Sequence, residues 1–386
     1  MTTRLKPREI LGKLVSFPTV SRDSNLDLVD WVEGYLADHG IASQRHWNED
    51  RSKAALYASV GPEVPGGVVL SGHTDVVPVD GQDWSSDPFV LREGEGKLFG
   101  RGAVDMKGFD ALAIDALVRG RGMSLARPIQ IALSYDEEIG CEGAPPLIAA
   151  MADLPRAACA IIGEPSMMRP VTGHKGGIGF EVTVHGVEVH SSLLPQGVSA
   201  IMEAARLVQW ANDRNAELAA APPDAMAALF DPPFTTLHVG KIAGGTAHNI
   251  TARECRFFIE MRCVPSDPVE TWRDAFLAEV ARVEAAMQAV RPEARIDVRP
   301  TFGVPALAPE TDGAAEETVR RITGDNARHV VSYGTEAGHF QTAGYSSVVC
   351  GPGDIAQAHQ ADEFITIPQF EAGEAFMTDL LESLCR

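Results

Sequence analysis

The chain has few positive charges and no long hydrophobic stretch. Its 386 residues include 33 Lys and Arg against 53 Asp and Glu, which gives a formal net charge of −20 at pH 7. This acidic balance argues against nucleic acid as a partner, because nucleic acid selects basic surfaces. No run approaches the roughly 18 apolar residues of a membrane span, and the N-terminal segment lacks the apolar core of a signal peptide. The sequence therefore predicts a cytoplasmic protein that binds neither nucleic acid nor membrane.

Cysteine is also scarce, and the cysteines lie far apart. The six residues are Cys141, Cys159, Cys255, Cys263, Cys350 and Cys385. Their spacing fits reduced thiols rather than a disulfide framework or a Cys-based zinc site. Cys141 is open as a catalytic nucleophile, although its sequence context does not support that role. The glycines at 94, 96, 100 and 102 do not form a dinucleotide-binding pattern, and the Gly-x-Ser-x-Gly motif of serine hydrolases is missing.

Short apolar runs alternate with helical stretches over the first part of the chain. This alternation, which includes a strand at Ala54–Val60, predicts an α/β fold with a doubly wound, mostly parallel sheet. Asn25 is expected to cap the helix that follows it. From 176 to 302 the order becomes β-α-β-β-α-β, with a helix at Val269–Val290, which is typical of a ferredoxin-like α+β unit. We therefore expect a main domain of 1–175 and 303–386 that carries an inserted domain at 176–302.

Acidic and imidazole side chains follow the ends of several apolar runs, and one further aspartate lies between them in a glycine-rich segment. In open α/β sheets, ligands bind beyond the carboxyl ends of the strands, so we expect these side chains to converge. Carboxylate and imidazole together suit zinc, cobalt or manganese. The residues concerned are His73, Asp105, Glu137, Glu138, Glu164 and His359.

Two short patterns indicate how such a centre would work. His73 and Asp75 lie on one face of an extended backbone, so Asp75 is expected to orient the imidazole of His73. Glu137 and Glu138 are adjacent, so one can bind a metal while the other moves a proton. Each pattern is weak alone, because a surface loop and a solvated acidic turn are the ordinary alternatives.

Three motifs together resemble the co-catalytic zinc aminoacylase/carboxypeptidase family. They are Ser71–Pro78, Gly100–Gly108 and Asp136–Gly140. The family includes acetylornithine deacetylase, succinyl-diaminopimelate desuccinylase and glutamate carboxypeptidase, and the resemblance covers essentially the whole chain in order. It implies that the main domain is catalytic and that the inserted domain is a lid through which a homodimer forms.

The resemblance also implies a metal-binding role for the strand-end residues. Asp105 would bridge two zinc ions, for which cobalt or manganese are alternatives. His73 and Glu164 would complete one metal site, and Glu138 and His359 the other. The family further implies a cis peptide bond after the bridging aspartate.

Further roles follow from the same resemblance. Glu137 would be the general base for a hydroxide shared by the metals. His190 would reach the active site of the partner subunit, where the oxyanion needs donors. Asn249 would contact substrate across the dimer, and Arg262 would bind a substrate carboxylate. A surface histidine, a simple hairpin and a surface arginine are the respective structural alternatives for these last three residues.

Two segments in the last third, Tyr333–Gln341 and Gly351–Glu363, resemble the acetylornithine deacetylase branch. Glu336 would pair with the terminal ammonium of N2-acetyl-L-ornithine, unless it only caps the next helix. The expected reaction yields L-ornithine and acetate, a step of arginine biosynthesis. Alternatives are another N-acyl amino acid deacylase, a desuccinylase, a glutamate carboxypeptidase-like peptidase, or a non-catalytic relative.

Overall fold

The structure is a computed structural model that describes residues 3–386, so Met1 and Thr2 of the expected main domain lie outside the described range. The strands are β1 (Ser43–Trp47), β2 (Ala54–Val60), β3 (Val68–His73), β4 (Arg92–Gly94), β5 (Lys97–Phe99), β6 (Ile129–Ser134), β7 (Cys159–Pro165), β8 (Val171–His174), β9 (Gly176–His185), β10 (Thr236–Gly244), β11 (Glu254–Cys263), β12 (Arg295–Val304), β13 (His329–Val331), β14 (Ser346–Gly351) and β15 (Phe364–Thr366). The helices are α1 (Pro7–Val15), α2 (Leu26–Asp38), α3 (Lys107–Arg121), α4 (Ala144–Ala150), α5 (Ala200–Ala220), α6 (Val269–Val290), α7 (Ala314–Thr323), α8 (Ala337–Thr342) and α9 (Ile367–Leu384). The bounds predicted for β2 and α6 are confirmed at both ends.

The described residues divide into two compact units. The first takes the chain up to Gly173, together with Pro309–His329 and Thr335–Arg386. The second takes His174–Ala308 and Val330–Gly334. This second unit extends past both ends of the expected insert at 176–302, and it also takes a short later segment.

A large sheet with the strand order β1-β2-β6-β3-β7-β14-β8-β13 organises the first unit. The central strands β6, β3, β7 and β14 run parallel to one another, whereas β2 and β8 flank them in antiparallel pairs. Every residue of β3, β6 and β7 is buried. Because both faces of these strands are covered, their sequences are mostly apolar and do not alternate strictly between apolar and polar residues. The predicted α/β fold is confirmed, with its parallel pairing in the centre of the sheet.

Helix α3 packs against β3 and β6 and is buried along almost its whole length. A helix covered on all sides needs small residues where neighbours approach closely. Gly108 is one of them, because a Cβ there would lie 2.5 Å from the carbonyl oxygen of Ala103. The helix begins at Lys107, shortly after Asp105, and its packing therefore holds the Asp105 segment beside the sheet.

The second unit has a four-stranded sheet of order β10-β11-β9-β12 in which every neighbouring pair is antiparallel. Buried and partly exposed residues alternate along β11, as expected for strands with one covered face. Helices α5 and α6 pack on the sheet, and the core includes Phe180, Ile259 and Phe276. The order β-α-β-β-α-β predicted for this region is confirmed.

Asn25 directly precedes α2, but its side chain makes no bond to the first turn, so the predicted cap is wrong. Its Nδ2 donates to the Ala54 carbonyl at 2.8 Å and to Thr74 Oγ1 at 2.9 Å, and its Oδ1 accepts the Ala54 N–H at 3.0 Å. Asn25 is only 2% exposed, so its amide satisfies backbone groups at the start of β2 that would otherwise be buried unpaired.

Across residues 3–386, no helix combines the length and the apolar character that a membrane crossing requires. All six cysteines are free, and only Cys385 is exposed.

Candidate metal centre

The parallel strands bring the predicted ligands to one edge of the large sheet. His73 is the last residue of β3, and it pairs in register with Ser134, the last residue of β6. Glu137 and Glu138 follow shortly after the end of β6, and Glu164 is the second-last residue of β7. Since parallel strands end on the same side, these side chains share one neighbourhood.

Asp105 lies between the two histidines of the centre. Its Oδ1 is 3.1 Å from His73 Nε2, and its Oδ2 is 3.2 Å from His359 Nε2. On the first side, His73 Nε2 is 3.7 Å from Glu164 Oε1. On the second side, His359 Nε2 is 3.0 Å from Glu138 Oε2. Each oxygen of Asp105 therefore faces a separate group of donors, as a carboxylate that bridges two metal ions would.

Glu137 lies close enough to the centre to act in more than one way. One set of donor atoms within 4.8 Å of one another comprises His73, Glu137 and Glu164, and another comprises His73, Asp105 and Glu138. Spacing alone thus admits Glu137 both as a ligand and as a base beside the ligands. His359 belongs to neither set, and its Nε2 lies within 3.2 Å of carboxylate oxygens of both Asp105 and Glu138.

Cys141 contacts Glu137 and does not resemble a nucleophile. Its Sγ donates to Glu137 Oε1 at 3.4 Å. Burial, and then the charge of Glu137, raise the pKa of the Cys141 thiol well above its ordinary value. A reactive cysteine needs the thiolate, so this residue is a neutral hydrogen-bond donor to the Glu137 carboxylate.

Asp75 holds the backbone of both Glu137 and Glu138. Its Oδ1 accepts the N–H of Glu137 at 3.1 Å, and its Oδ2 accepts the N–H of Glu138 at 3.3 Å and the hydroxyl of Ser21 at 2.7 Å. His73 Nδ1 lies 2.9 Å from the carbonyl oxygen of Asp75 and 3.5 Å from its Oδ1. The backbone of Asp75 therefore orients the imidazole more closely than its carboxylate does. Ser21 was not foreseen, because it lies in a loop without a recognisable motif.

Burial and neighbouring carboxylates shift the pKa values within the centre. They hold the pKa values of Glu137 and Glu164 well above the ordinary 4.5. Burial and the charge of Asp105 raise the pKa of Glu138 to about 7, and hydrogen bonds to Asp105 and Glu138 raise the pKa of His359 to about 10. Burial and mutual repulsion thus disfavour the ionised carboxylates when no cation is present. Two divalent cations would supply compensating positive charge, so the donor set fits a pair of metal ions.

The peptide bond between Asp105 and Met106 is cis, as the sequence resemblance implied.

Three of the predicted site residues belong to the second unit. His190 is exposed, and its Nδ1 lies 2.8 Å from Ser192 Oγ. The carbonyl oxygen of Asn249 accepts the Ser191 N–H at 2.9 Å, so the His190 and Asn249 segments are neighbours. Arg262, on β11, donates to Glu260 Oε2 at 2.9 Å.

Glu336 is a buried carboxylate of the first unit and is 1% exposed. Its oxygens accept the hydroxyl of Ser134 and, at 3.2 Å, the hydroxyl of Ser71. Burial raises the pKa of Glu336 to about 7. The alternative role as a helix cap is not observed, because its side chain makes no bond to the first turn of α8. The two serines were missed in the sequence, since a serine within an apolar strand carries no distinctive pattern.

Comparison with curated proteins points to one family. The profile of Peptidase family M20/M25/M40 matches residues 69–383. An acetylornithine deacetylase from Myxococcus xanthus is 35% identical over 390 residues, which cover 98% of this chain and 97% of that protein.

Solved structures share the fold at low sequence identity. An M20 family metallo-carboxypeptidase from Sulfolobus solfataricus has a TM-score of 0.78 at 15% identity, covering 99% of this chain and 100% of that chain. A Bacillus subtilis protein described as a dinuclear metal binding peptidase from the M20 family has a TM-score of 0.61 at 12% identity, covering 97% of this chain and 96% of that chain. On the strength of the profile match and the full-length relative, the chain belongs to peptidase family M20/M25/M40.

Proposed function

We propose that this protein is a di-metal amidohydrolase that converts N2-acetyl-L-ornithine to L-ornithine and acetate in the cytoplasm, as a step of arginine biosynthesis. The observation that carries the hydrolase proposal is the position of Asp105 between His73 and His359. The choice of substrate is supported by the activity named for the 35% identical relative.

Five side chains would hold the metal pair. His73 and Glu164 would serve one ion, Glu138 and His359 the other, and Asp105 both. When bound, such cations activate water and polarise the scissile amide carbonyl. Zinc suits the mixture of imidazole and carboxylate, and cobalt or manganese are alternatives.

Glu137 is the proposed general base. Its Oε1 accepts the Cys141 thiol, which leaves Oε2 to take a proton from water and later deliver it to the leaving amine. Burial raises the pKa of Glu137 above the ordinary 4.5, and this direction makes its carboxylate a stronger base. The carboxylate of Asp75 keeps Glu137 in place by accepting the backbone N–H of Glu137.

Substrate recognition is proposed to use both units. Arg262 would bind the substrate carboxylate, while His190 and Asn249 would act on the partner subunit's substrate in a homodimer formed through the second unit. Glu336 would pair with the ammonium of the ornithine side chain. Ser71 and Ser134 would then have to give up their hydrogen bonds to this carboxylate.

A substrate panel on metal-reconstituted protein tests this proposal. Metal-free protein is supplied with zinc or cobalt, and kcat/KM is measured for N-acetyl derivatives of ornithine, citrulline and methionine and for N-succinyl-diaminopimelate. We expect acetylornithine to lead the series. Preference for the succinyl compound would indicate a desuccinylase, and absence of turnover with either metal would refute the enzyme proposal.

A further inference from the structure

Three side chains outside the proposed ligand set connect the peptides that carry Asp105 and His359. We infer that Arg101, Gln82 and Glu363, named here the Arg101 clamp, are positioning residues that set the metal affinity of the site at His359. This inference rests on the metal-dependent function proposed above. Arg101 and Glu363 both lie in motifs that resemble the family, yet the proposed chemistry uses neither of them.

Glu363 holds the peptide of the bridging aspartate. Its Oε1 accepts the backbone N–H of Val104 at 3.0 Å and that of Asp105 at 3.2 Å. Its own carbonyl oxygen accepts the N–H of Gly100 at 2.9 Å. Glu363 follows His359 closely in the chain, so the segment that carries one ligand also binds the backbone of the other. Because Glu363 is 1% exposed, water competes little for these bonds.

Arg101 joins Glu363 to Gln82. Its Nη1 donates to Glu363 Oε2 at 2.6 Å, and its Nη2 donates to Gln82 Oε1 at 2.5 Å. The side chains of Arg101 and Glu363 are each 1% exposed, so each buried charge depends on the other for compensation. Gln82 Nε2 in turn donates to the carbonyl oxygen of His359 at 2.8 Å. A continuous series of hydrogen bonds therefore runs from the Asp105 N–H to the His359 carbonyl.

His359 is the ligand that most needs such support. It has a φ of 61°, in the left-handed region that residues other than glycine rarely adopt. Its side chain is 52% exposed, so packing against neighbouring side chains restrains its ring only weakly. His73, by contrast, is fully buried at the end of β3. Weakening the clamp should therefore loosen the site of His359 and leave the site of His73 and Glu164 intact.

The test measures zinc binding directly, by competition between metal-free protein and a chromophoric chelator. Gln82→Met removes the bond to the His359 carbonyl and keeps the length of the side chain. Ser85→Ala is the matched control, because Ser85 Oγ binds the same segment through Asp362 Oδ1 at 2.9 Å and does not contact a ligand backbone. We expect one of the two zinc dissociation constants to rise by about 10- to 100-fold in Gln82→Met, the effect typical of residues that orient ligands. The other constant, and both constants of Ser85→Ala, should match the wild type.

A second variant and a second readout separate positioning from general stability. Glu363→Gln keeps an acceptor for the Asp105 N–H but loses its charge pairing with Arg101, and it should weaken the same site. The melting temperature of metal-free Gln82→Met should equal that of the wild type, and its lost activity should return at raised zinc. Unchanged constants in Gln82→Met, or equal weakening of both sites, would overturn the clamp. A wild-type protein that binds no zinc would instead overturn the proposed function, and the clamp with it.

Discussion

Replacing Glu336 with glutamine should stabilise the metal-free protein, and only at neutral and alkaline pH. The carboxylate is 1% exposed and accepts the hydroxyls of Ser71 and Ser134. Burial raises its pKa from 4.5 to about 7, which means that the folded protein disfavours the ionised form. Glutamine has nearly the same shape and cannot ionise.

The sign and size of the effect follow from this shift. Below pH 4.5 the carboxyl group is protonated in both the folded and the unfolded chain, so the stabilising contribution of Glu336 is fully present. As the pH rises from there through about 7, the unfolded chain gains more by ionising, and that contribution is lost. At about 1.4 kcal/mol per pKa unit, the wild type loses roughly 3 kcal/mol by pH 8. Glu336→Gln should therefore be more stable by up to about this amount at pH 8 and by little at pH 5.

The assay is urea unfolding of both proteins in the presence of a chelator. The pH values run from about 5 to 8.5, because the stabilising contribution of Glu336 is lost within this range. Glu310→Gln is the matched control, because Glu310 is also a glutamate that accepts a serine hydroxyl, from Ser346, but it is only half-buried. The reasoning is refuted if the difference in unfolding free energy between Glu336→Gln and wild type is the same at both ends of the series.

Three further predictions concern the centre and its surroundings. Glu137→Gln should lower kcat by about 10²- to 10⁴-fold while zinc stoichiometry stays unchanged, and loss of a zinc ion in a metal assay would identify Glu137 as a ligand instead. Glu336→Gln should reduce kcat/KM for acetylornithine by about 10-fold or more relative to acetylmethionine, since a charge-assisted hydrogen bond would be lost. An equal effect on both substrates would contradict cation selection. Gly163→Ala would place a methyl group 2.0 Å from Phe109 Cγ and should lower stability by about 1–3 kcal/mol, so a melting temperature as high as that of wild type would show that the core can yield there.

Local patterns in the sequence were sufficient to predict most of the fold. A short apolar run predicts a strand such as β2, and helical periodicity predicts α6. Both signals come from residues that lie close together in the chain. The prediction failed where a local signal competed with a distant partner. Asn25 has the right residue type for a cap, yet its amide binds Ala54 and Thr74 instead.

In the candidate centre, too, some features follow from local sequence and others from contacts between distant residues. The sequence by itself determined which carboxylates and imidazoles follow the strands, and parallel pairing required them to share one edge of the sheet. Only the tertiary structure decided that Glu336 lies buried against Ser71 and Ser134, which are 265 and 202 residues away from it in the chain. It also decided that Glu363 binds the Asp105 peptide across 258 residues. Such contacts depend on how distant segments pack, and neither composition nor periodicity carries that information.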